Sequence, residues 1–325
     1  MTGFAQSGKV SGGRVADPIP VTVQGPGADP VANRYVSVVI PTHNRPGTVA
    51  GAVASVLAQD IPVEVIVVDD ASHPPVADLP IMADERIRLI RNETAMGPSR
   101  ARNQGLVAAT GAFVAFLDDD DQWLPGKLSR CLGILDDAGV EVVTHRTVFD
   151  RRQINRPSSV RIEADPLTRF GLDQTPHLDG LVIDARLAKE VGFDESFDAA
   201  QDVDFVIELA RRSPFAMVDD ALALRGPDSG GTAVGLDRRI SGRQLLRTKH
   251  ADVLYRDPAS RAFYHVRLGH LYRRSGDRPR ALASFATAIR QAPGQVQAWR
   301  GIVLTFLPPG AANRLSILRR TRPRR

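Results

Sequence analysis

A hydrophobic hexapeptide runs directly into four consecutive aspartates in the stretch Ala112–Asp121, whose sequence is AFVAFLDDDD. Short apolar runs of this kind are typical of buried strands in parallel sheets, where both faces are covered. Four adjacent carboxylates repel one another, so a strand end that carries them usually needs a cation nearby. Because Mg²⁺ and Mn²⁺ prefer hard oxygen ligands, the stretch predicts a buried strand ending in a divalent-metal site. The alternative is an exposed acidic turn.

Three further apolar runs upstream also end in polar residues, and helical patterns lie between the runs. In chain order these are Tyr35–Ile40 with Thr42 and Asn44, Val63–Val68 with Asp69 and Asp70, and Ile87–Ile90 with Asn92. Strands alternating with helices predict an α/β fold with a mostly parallel sheet flanked by helices. Open sheets of this class bind ligands outside the carboxyl ends of their strands. We therefore expect the polar residues to form one site with the aspartates.

The composition limits the class of protein. The chain has 325 residues, of which 43% are hydrophobic and 24% charged, as is typical of a globular protein. It contains no apolar run of about 18 residues and no apolar signal-peptide core at its N-terminus. A single cysteine, Cys131, excludes an internal disulfide and a zinc site built from thiolates. We expect a cytoplasmic protein, at most peripheral at the inner face of the membrane.

The chain divides into three parts by composition and charge. Residues 1–33 are rich in Gly, Pro and small polar residues, which predicts a disordered leader. Residues 34–235 carry the strand signals, and residues 236–325 carry only helical ones. The last part has 20 Lys and Arg residues against four acidic ones, a net charge of +16, whereas the rest carries −11. A basic tail on an acidic body predicts an anionic partner; a solvated arginine-rich surface is the equal alternative.

Four motifs resemble glycosyltransferase family 2, whose members have the GT-A fold. They are Val36–Arg45 (VSVVIPTHNR), Val65–Ser72 (VIVVDDAS), Asn92 with Gly97–Gly105 (GPSRARNQG), and Phe116–Pro125 (FLDDDDQWLP). The resemblance covers about residues 35–225, in the family's order and spacing. It implies a metal-dependent enzyme of cell-envelope or polysaccharide biosynthesis. Such an enzyme transfers a sugar from a UDP-, GDP- or dTDP-sugar to an acceptor hydroxyl on a glycan or lipid-linked molecule.

The resemblance also implies roles for individual residues. Those expected to bind the nucleotide sugar are Pro41, Thr42, Asn44, Arg45, Asp69, Asp70, Asn92, Arg102, Asp118 and Asp119. Asp118 and Asp120 are expected to hold Mn²⁺ or Mg²⁺, while Asp121 shapes the turn. A carboxylate at Asp69 or Asp70 can accept from a base N–H or a ribose hydroxyl. Turn chemistry is the alternative for this pair, because Asp favours turns.

The general base is expected in the second half. Gly192–Asp204 resembles the segment in which the family carries Glu-Asp before a helix, which makes Asp202 the candidate. Inverting transfer needs a carboxylate to take the proton of the acceptor hydroxyl while its oxygen attacks. Gln201 and Val203 replace the family's usual Glu and common Trp, so the acceptor preference stays open. Asp202 as a helix cap only is the alternative.

The C-terminal region resembles one tetratricopeptide unit over about residues 262–295. A solitary repeat cannot bury its apolar face, so it should dock on adjacent helices, on the catalytic domain or on a partner. Six arginines between Arg314 and Arg325, with Leu315, Ile317 and Leu318, predict contact with an anionic membrane. Binding of nucleic acid is not expected, because aromatic residues are not interleaved with the arginines.

Two rival functions stay open. A nucleotidyltransferase would share the α/β layout but should carry a Gly-rich, basic loop after its first strand, where residues 41–47 offer only Arg45. A non-catalytic scaffold would act through its helical tail; the intact aspartates and Asp202 argue against it. No GxGxxG or Walker A pattern follows a strand, so dinucleotide and P-loop sites find no support.

Overall fold

The computed structural model describes residues 35–149, 159–167, 175–226 and 235–307. The predicted leader and the arginine-rich stretch after residue 307 lie outside this part. The strands are β1 Val36–Thr42, β2 Val63–Asp70, β3 Ile87–Asn92, β4 Phe113–Phe116, β5 Gln122–Trp123, β6 Val142–Val148, β7 Val160–Glu163, β8 Leu181–Asp184 and β9 Phe215–Leu224. The helices are α1 Pro46–Leu57, α2 Pro98–Ala108, α3 Lys127–Ala138, α4 Ala185–Val191, α5 Gln201–Ala210, α6 Leu236–Lys249, α7 Ala251–Leu254, α8 Pro258–Arg274, α9 Arg278–Gln291 and α10 Val296–Phe306.

The described strands form one mixed sheet in the order β3-β2-β1-β4-β8-β6-β9-β5, with β7 paired to β9 beside this path. β3, β2, β1 and β4 run parallel, as the alternation of strands and helices predicts. β8 is antiparallel to both β4 and β6, and β5 and β7 are antiparallel to β9. The predicted α/β fold is confirmed, and its continuous parallel half contains the four strand ends predicted to form the site.

Alternate residues of the central strands face two apolar layers, because successive side chains of a strand point to opposite faces. Val39 of β1 packs with buried residues of α2, α4 and α5. Its neighbours Val38 and Ile40 pack with α1 and α3 on the other face. Gly105 allows α2 to approach closely, since a Cβ there would lie 2.3 Å from the Val39 side chain. The parallel strands are thus held between two layers of helices.

The C-terminal helices dock on the α/β part of the chain. Phe197, just before α5, shares a buried apolar cluster with Leu246 of α6, Tyr264 of α8 and Phe285 of α9. Asp204 of α5 adds a polar anchor, since its carboxylate lies 2.7 Å from His250 Nε2 and 2.9 Å from Lys249 Nζ. The helical region therefore docks both on the α/β part of the chain and on its own neighbouring helices.

α8, α9 and α10 pack through small residues around one aromatic ring. The ring of Phe285 occupies space that a side chain at Gly269 or Gly301 would need, because Cβ atoms there would approach it to 2.7 and 2.3 Å. The predicted helical appendage is confirmed, and its glycines allow the helices to pack closely. No helix in the described part of the chain is both long and apolar enough to cross a membrane.

Candidate functional site

The carboxyl ends of four parallel strands meet at one edge of the sheet. The register sets Thr42 of β1 opposite Asp69 of β2, and Asp70 of β2 opposite Asn92 of β3. β4 pairs with β1 on its other side and ends just before Asp118–Asp121. The polar residues predicted to converge are therefore brought together by the parallel register.

Asp69 is fully buried, and its carboxylate is occupied by neighbours in the chain. It accepts hydrogen bonds from the backbone N–H of Ser72 (2.8 Å) and of Val76 (3.3 Å), and it pairs with Arg91. Burial alone would raise the pKa of Asp69, but these hydrogen bonds and the charge of Arg91 hold it below its usual value. These contacts are those that turn chemistry predicts, and contact of Asp69 with a nucleotide stays a prediction.

Asp70 anchors the loop that leads into α2. Its Oδ1 accepts from Asn92 Nδ2 (2.9 Å) and from the backbone N–H of Met96 (2.8 Å), and its Oδ2 accepts from that of Gly97 (2.8 Å). Asn92 also exchanges hydrogen bonds with Gln104 of α2, at 3.0 and 2.8 Å. Both residues thereby position α2, and direct contact of either with a nucleotide stays a prediction.

The loop after β1 forms an accessible rim beside these carboxylates. Pro41 is half-buried at the end of β1, and Asn44 is exposed with a positive φ of 57°. The backbone N–H of Asn44 donates to Ser72 Oγ (2.9 Å), and its side-chain Oδ1 accepts from the N–H of His73 (2.7 Å). Asn44 therefore ties the loops after β1 and β2 into one surface.

Arg45 neutralises the middle of the acidic run. Its Nη1 lies 3.0 Å from a carboxylate oxygen of Asp119 and 3.0 Å from one of Asp120. Thr42 adds a hydrogen bond of 2.8 Å from its hydroxyl to Asp119. Burial raises the pKa of both aspartates, and the charge of Arg45 counteracts the increase. Arginine thus balances part of the negative charge of the run. The pattern of aspartates in the sequence predicted a metal cation but not this arginine.

The two ends of the run meet different arginines. Arg102 of α2 donates a hydrogen bond of 2.6 Å from Nη2 to Asp118, which is 37% exposed. Asp121 is buried 3.7 Å from Arg225 and accepts from the backbone N–H of Gly226 at 2.8 Å. Burial and the nearby carboxyls of Asp179 and Asp118 raise the pKa of Asp121 to about 8. Asp121 is an interior residue, consistent with its expected role in shaping the turn.

The expected metal ligands suit a hard cation by chemistry and access. Carboxylate oxygens are the ligands that Mg²⁺ and Mn²⁺ prefer. Asp118 is partly exposed, and the buried Oδ2 of Asp120 receives no hydrogen bond, although it is ion-paired with Arg45. Across the described ranges, no group of three or more His, Cys, Asp or Glu side chains is arranged to hold a metal. Metal binding by Asp118 and Asp120 stays a prediction.

Asp202 lies inside α5. The helix begins at Gln201, and its N-cap is Ala200, which makes no side-chain hydrogen bond. Asp202 is therefore not the N-cap, which removes the alternative of a capping role. No described residue donates a hydrogen bond to its carboxylate, and half-buried Arg243 is a charged neighbour. A half-buried carboxylate without a fixed donor has the proton-accepting capacity that a general base needs.

Two buried charged residues beside the site were missed by sequence reasoning. Lys127 is fully buried, donates to the carbonyl of Asp179 (2.9 Å), and places its Nζ 3.4 Å from the centroid of the Trp123 ring. Burial lowers the pKa of Lys127 to about 7 and raises the pKa of the Asp179 carboxyl. A lysine at the start of a helix is normally solvated, so only tertiary packing reveals this pair.

Comparison with solved structures supports the fold. A crystal structure of S. aureus TarS, residues 1–349, superposes with a TM-score of 0.58 and 19% identity, covering 84% of this chain and 89% of that one. A TarS 1–349 structure in complex with UDP-GlcNAc gives a TM-score of 0.56 at 20% identity. The fold and the acid-rich edge of the sheet define a GT-A-type α/β protein.

Sequence comparison supplies the family. The model of the family described as "Glycosyl transferase family 2" matches residues 37–189. Similar proteins include the putative colanic acid biosynthesis glycosyl transferase WcaA of Escherichia coli (strain K12), 30% identical over 54% of this chain and 66% of that protein. Another is the Escherichia coli protein named UDP-Glc:alpha-D-GlcNAc-diphosphoundecaprenol beta-1,3-glucosyltransferase WfgD, 37% identical over 31% of this chain. Residues 37–189 of this chain thus match glycosyl transferase family 2.

The matched regions are partial. The chain spans 31% of the succinoglycan biosynthesis protein ExoO of Rhizobium meliloti (strain 1021), to which it is 39% identical, and 40% of WfgD. The family model matches residues 37–189, so the family assignment concerns this part of the chain.

Proposed function

We propose that this protein is a glycosyltransferase that moves a sugar from a nucleotide diphosphate sugar to an acceptor hydroxyl. The observation that carries the proposal is the convergence, within a family 2 domain, of Thr42, Asn44 and Asp118–Asp121 at the carboxyl edge of the parallel strands. That edge is where α/β sheets of this kind bind nucleotides. The rim formed by half-buried Pro41 and exposed Asn44 is suited to lie along the nucleotide.

Charge at the edge suits a diphosphate. Arg45 and Arg102 lie beside the aspartates, and their guanidinium groups are donors that match phosphate oxygens. Asp118 and Asp120 would hold Mn²⁺ or Mg²⁺. A bound divalent cation would neutralise the negative charge that develops on the departing nucleoside diphosphate. The protein residues then orient the donor, with its anomeric carbon presented to the acceptor.

Asp202 is the proposed general base. Its carboxylate would accept the proton of the acceptor hydroxyl as that oxygen forms a bond to the anomeric carbon. The bond from the anomeric carbon to the diphosphate oxygen breaks on the opposite side, and the nucleoside diphosphate leaves with the electron pair. Attack opposite the leaving group inverts the anomeric configuration.

The acceptor is proposed to be a glycan or a lipid-linked sugar. The name of WfgD describes transfer of glucose from UDP-Glc to a GlcNAc-diphosphoundecaprenol, and TarS has been crystallised with UDP-GlcNAc. By analogy, a UDP-sugar donor and a hydroxyl of a membrane-linked sugar are the first substrates to test, in the context of polysaccharide biosynthesis.

The test is turnover of a panel of UDP-, GDP- and dTDP-sugars by the purified chain with Mn²⁺, measured as release of nucleoside diphosphate. Transfer or slow hydrolysis of one donor, with a rise in melting temperature on binding it, is the expected result. Release of pyrophosphate from a nucleoside triphosphate would instead favour a nucleotidyltransferase. Donor binding without any turnover, across acceptors that include lipid-linked sugars, would favour a scaffold.

A further inference from the structure

The last described helix, α10, exposes a row of large apolar side chains. Val296, Trp299, Val303 and Phe306 are 69%, 53%, 60% and 70% exposed, and they recur at the three- and four-residue spacing of one helix face. We call these four residues the outer face of α10. They are four of the nine large apolar side chains exposed in the described ranges. A concentration of exposed apolar surface in one helix is typical of a surface that binds a partner.

The opposite face of α10 is already packed. On that face, Ala298, Gly301 and Leu304 are buried against the preceding helices. The helix therefore already contributes one face to the core, and the outer face is a second apolar face. The indole N–H of Trp299 donates to the carbonyl of Pro293 at 2.9 Å. Its polar atom is therefore satisfied within the protein, and the ring offers only apolar surface to the outside.

The sequence that contains the outer face is basic and has no acidic residues. From Arg278 to the end of the chain the sequence has ten arginines and no Asp or Glu. Four of them lie in the described helices: Arg278, Arg280 and Arg290 are exposed on α9, and Arg300 is half-buried on α10. The sequence after residue 307 has the same character, with arginines, some apolar residues and no acidic ones.

We propose that the outer face of α10 is a docking surface for an anionic lipid membrane. Apolar side chains on one helix face, with Trp among them and arginines nearby, match the requirements of an interfacial helix. Arginines near an anionic bilayer add attraction to its negative surface potential. The proposal does not depend on transferase activity, because binding to vesicles is measured without turnover.

Two other occupants fit the charge less well. A second copy joined through the same face would bring two acid-free, arginine-rich segments together, and like charges oppose such a contact. The chain's own last residues, from 308 to 325, carry six arginines and only three large apolar residues, Leu315, Ile317 and Leu318. They would therefore cover the outer face poorly and add positive charge to it.

The experiment measures binding of the full chain to vesicles of mixed phosphatidylglycerol and phosphatidylcholine, against vesicles of phosphatidylcholine alone. We expect cosedimentation with the anionic vesicles at moderate salt. The chain has two tryptophans, and Trp123 is 3% exposed, so quenching by brominated lipid reports on Trp299. The paired substitution Val303→Ser and Phe306→Ser should lower the partition coefficient about tenfold and reduce the quenching.

The matched control is Val107→Ser, which removes an apolar side chain 84% exposed on α2 and should bind like the unmodified chain. Unchanged melting temperatures in all variants exclude unfolding as the cause. The proposal is wrong if the full chain does not bind anionic vesicles, or if the paired variant binds them as well as the unmodified chain does. A dimer that the paired variant turns into a monomer would assign the face to a second copy. Gain of binding to neutral vesicles on truncation after Leu307 would assign it to the chain's own end.

Discussion

Arg102 and Asp118 are joined by a hydrogen bond of 2.6 Å between the guanidinium Nη2 and the carboxylate Oδ1. The bond links α2 to the first aspartate after β4. The Arg102 side chain is only 7% exposed, and its guanidinium carbon lies 5.6 Å from the centroid of the Phe193 ring. Packing therefore fixes the arginine, and the arginine fixes the exposed end of the acidic run.

Replacing Arg102 by Lys should lower kcat/KM for the donor by about tenfold to a hundredfold, because an ammonium lacks the planar, two-pronged donor set of guanidinium. The control is Arg100→Lys, two residues earlier in α2, where the arginine forms an exposed pair with Glu195. That variant should behave like the unmodified enzyme in steady-state kinetics. Equal kinetics for both variants would show that the Arg102–Asp118 contact has no role in transfer.

Asp120→Asn should raise the Mn²⁺ concentration needed for half-maximal turnover by about tenfold, because an amide oxygen is a weaker ligand for a hard dication than a carboxylate. Titration of turnover with Mn²⁺ measures the effect, and calorimetry measures metal binding directly. The control is Asp84→Asn, which changes a partly exposed carboxylate paired with Arg86. Full metal-dependent turnover by the Asp120→Asn enzyme would remove Asp120 from the metal site.

Two neighbouring aspartates of α5 should respond in opposite ways. Asp202→Asn should lower turnover by roughly 10²- to 10⁴-fold, because an amide cannot accept the acceptor's proton. Donor binding and melting temperature should not change. Asp204→Asn weakens a buried pair with His250 and Lys249 and should cost about 3 kcal/mol of stability. Turnover per folded molecule, compared with thermal unfolding, separates the two, and the reverse pattern would remove Asp202 as the base.

The buried Lys127 should make stability depend on pH. Its folded-state pKa of about 7 lies below the ordinary value of 10.5, so between these values the unfolded chain binds more protons than the folded one. Stability from this group therefore rises with pH above about 7, by about 1 kcal/mol per pH unit. Burial of Cys131 raises its pKa to about 11 from 9.0, which opposes the rise only above about pH 9.

The measurement is urea unfolding at several pH values between about 7 and 9, compared for the unmodified chain and Lys127→Met. The two curves of stability against pH should differ in slope, with the variant flatter, since Met does not titrate. The comparison cancels groups that titrate equally in both proteins. Parallel curves would mean that Lys127 keeps its proton in the folded state throughout this range.

The strand ends and their order could be predicted from the sequence because they are encoded locally. The apolar runs that became β1, β2, β3 and β4 each end in polar residues, and parallel pairing brings such ends to one edge whatever the loops do. The first residue of α5 is not predicted by the apolar pattern, because Gln201 and Asp202 extend the helix beyond that pattern. Helix ends depend on caps and packing that periodicity does not show.

The sequence by itself determined an α/β domain with an acidic edge, its family resemblance and an arginine-rich helical end. Only the tertiary structure decided which charges meet: Arg45 reaches Asp119 across 74 positions of the chain, and Lys127 becomes buried beside Asp179. It also decided that the outer face of α10 is exposed. Such pairings depend on how distant segments pack, so they cannot be predicted from one sequence. Strand and helix patterns depend on neighbouring residues, so one sequence predicts them.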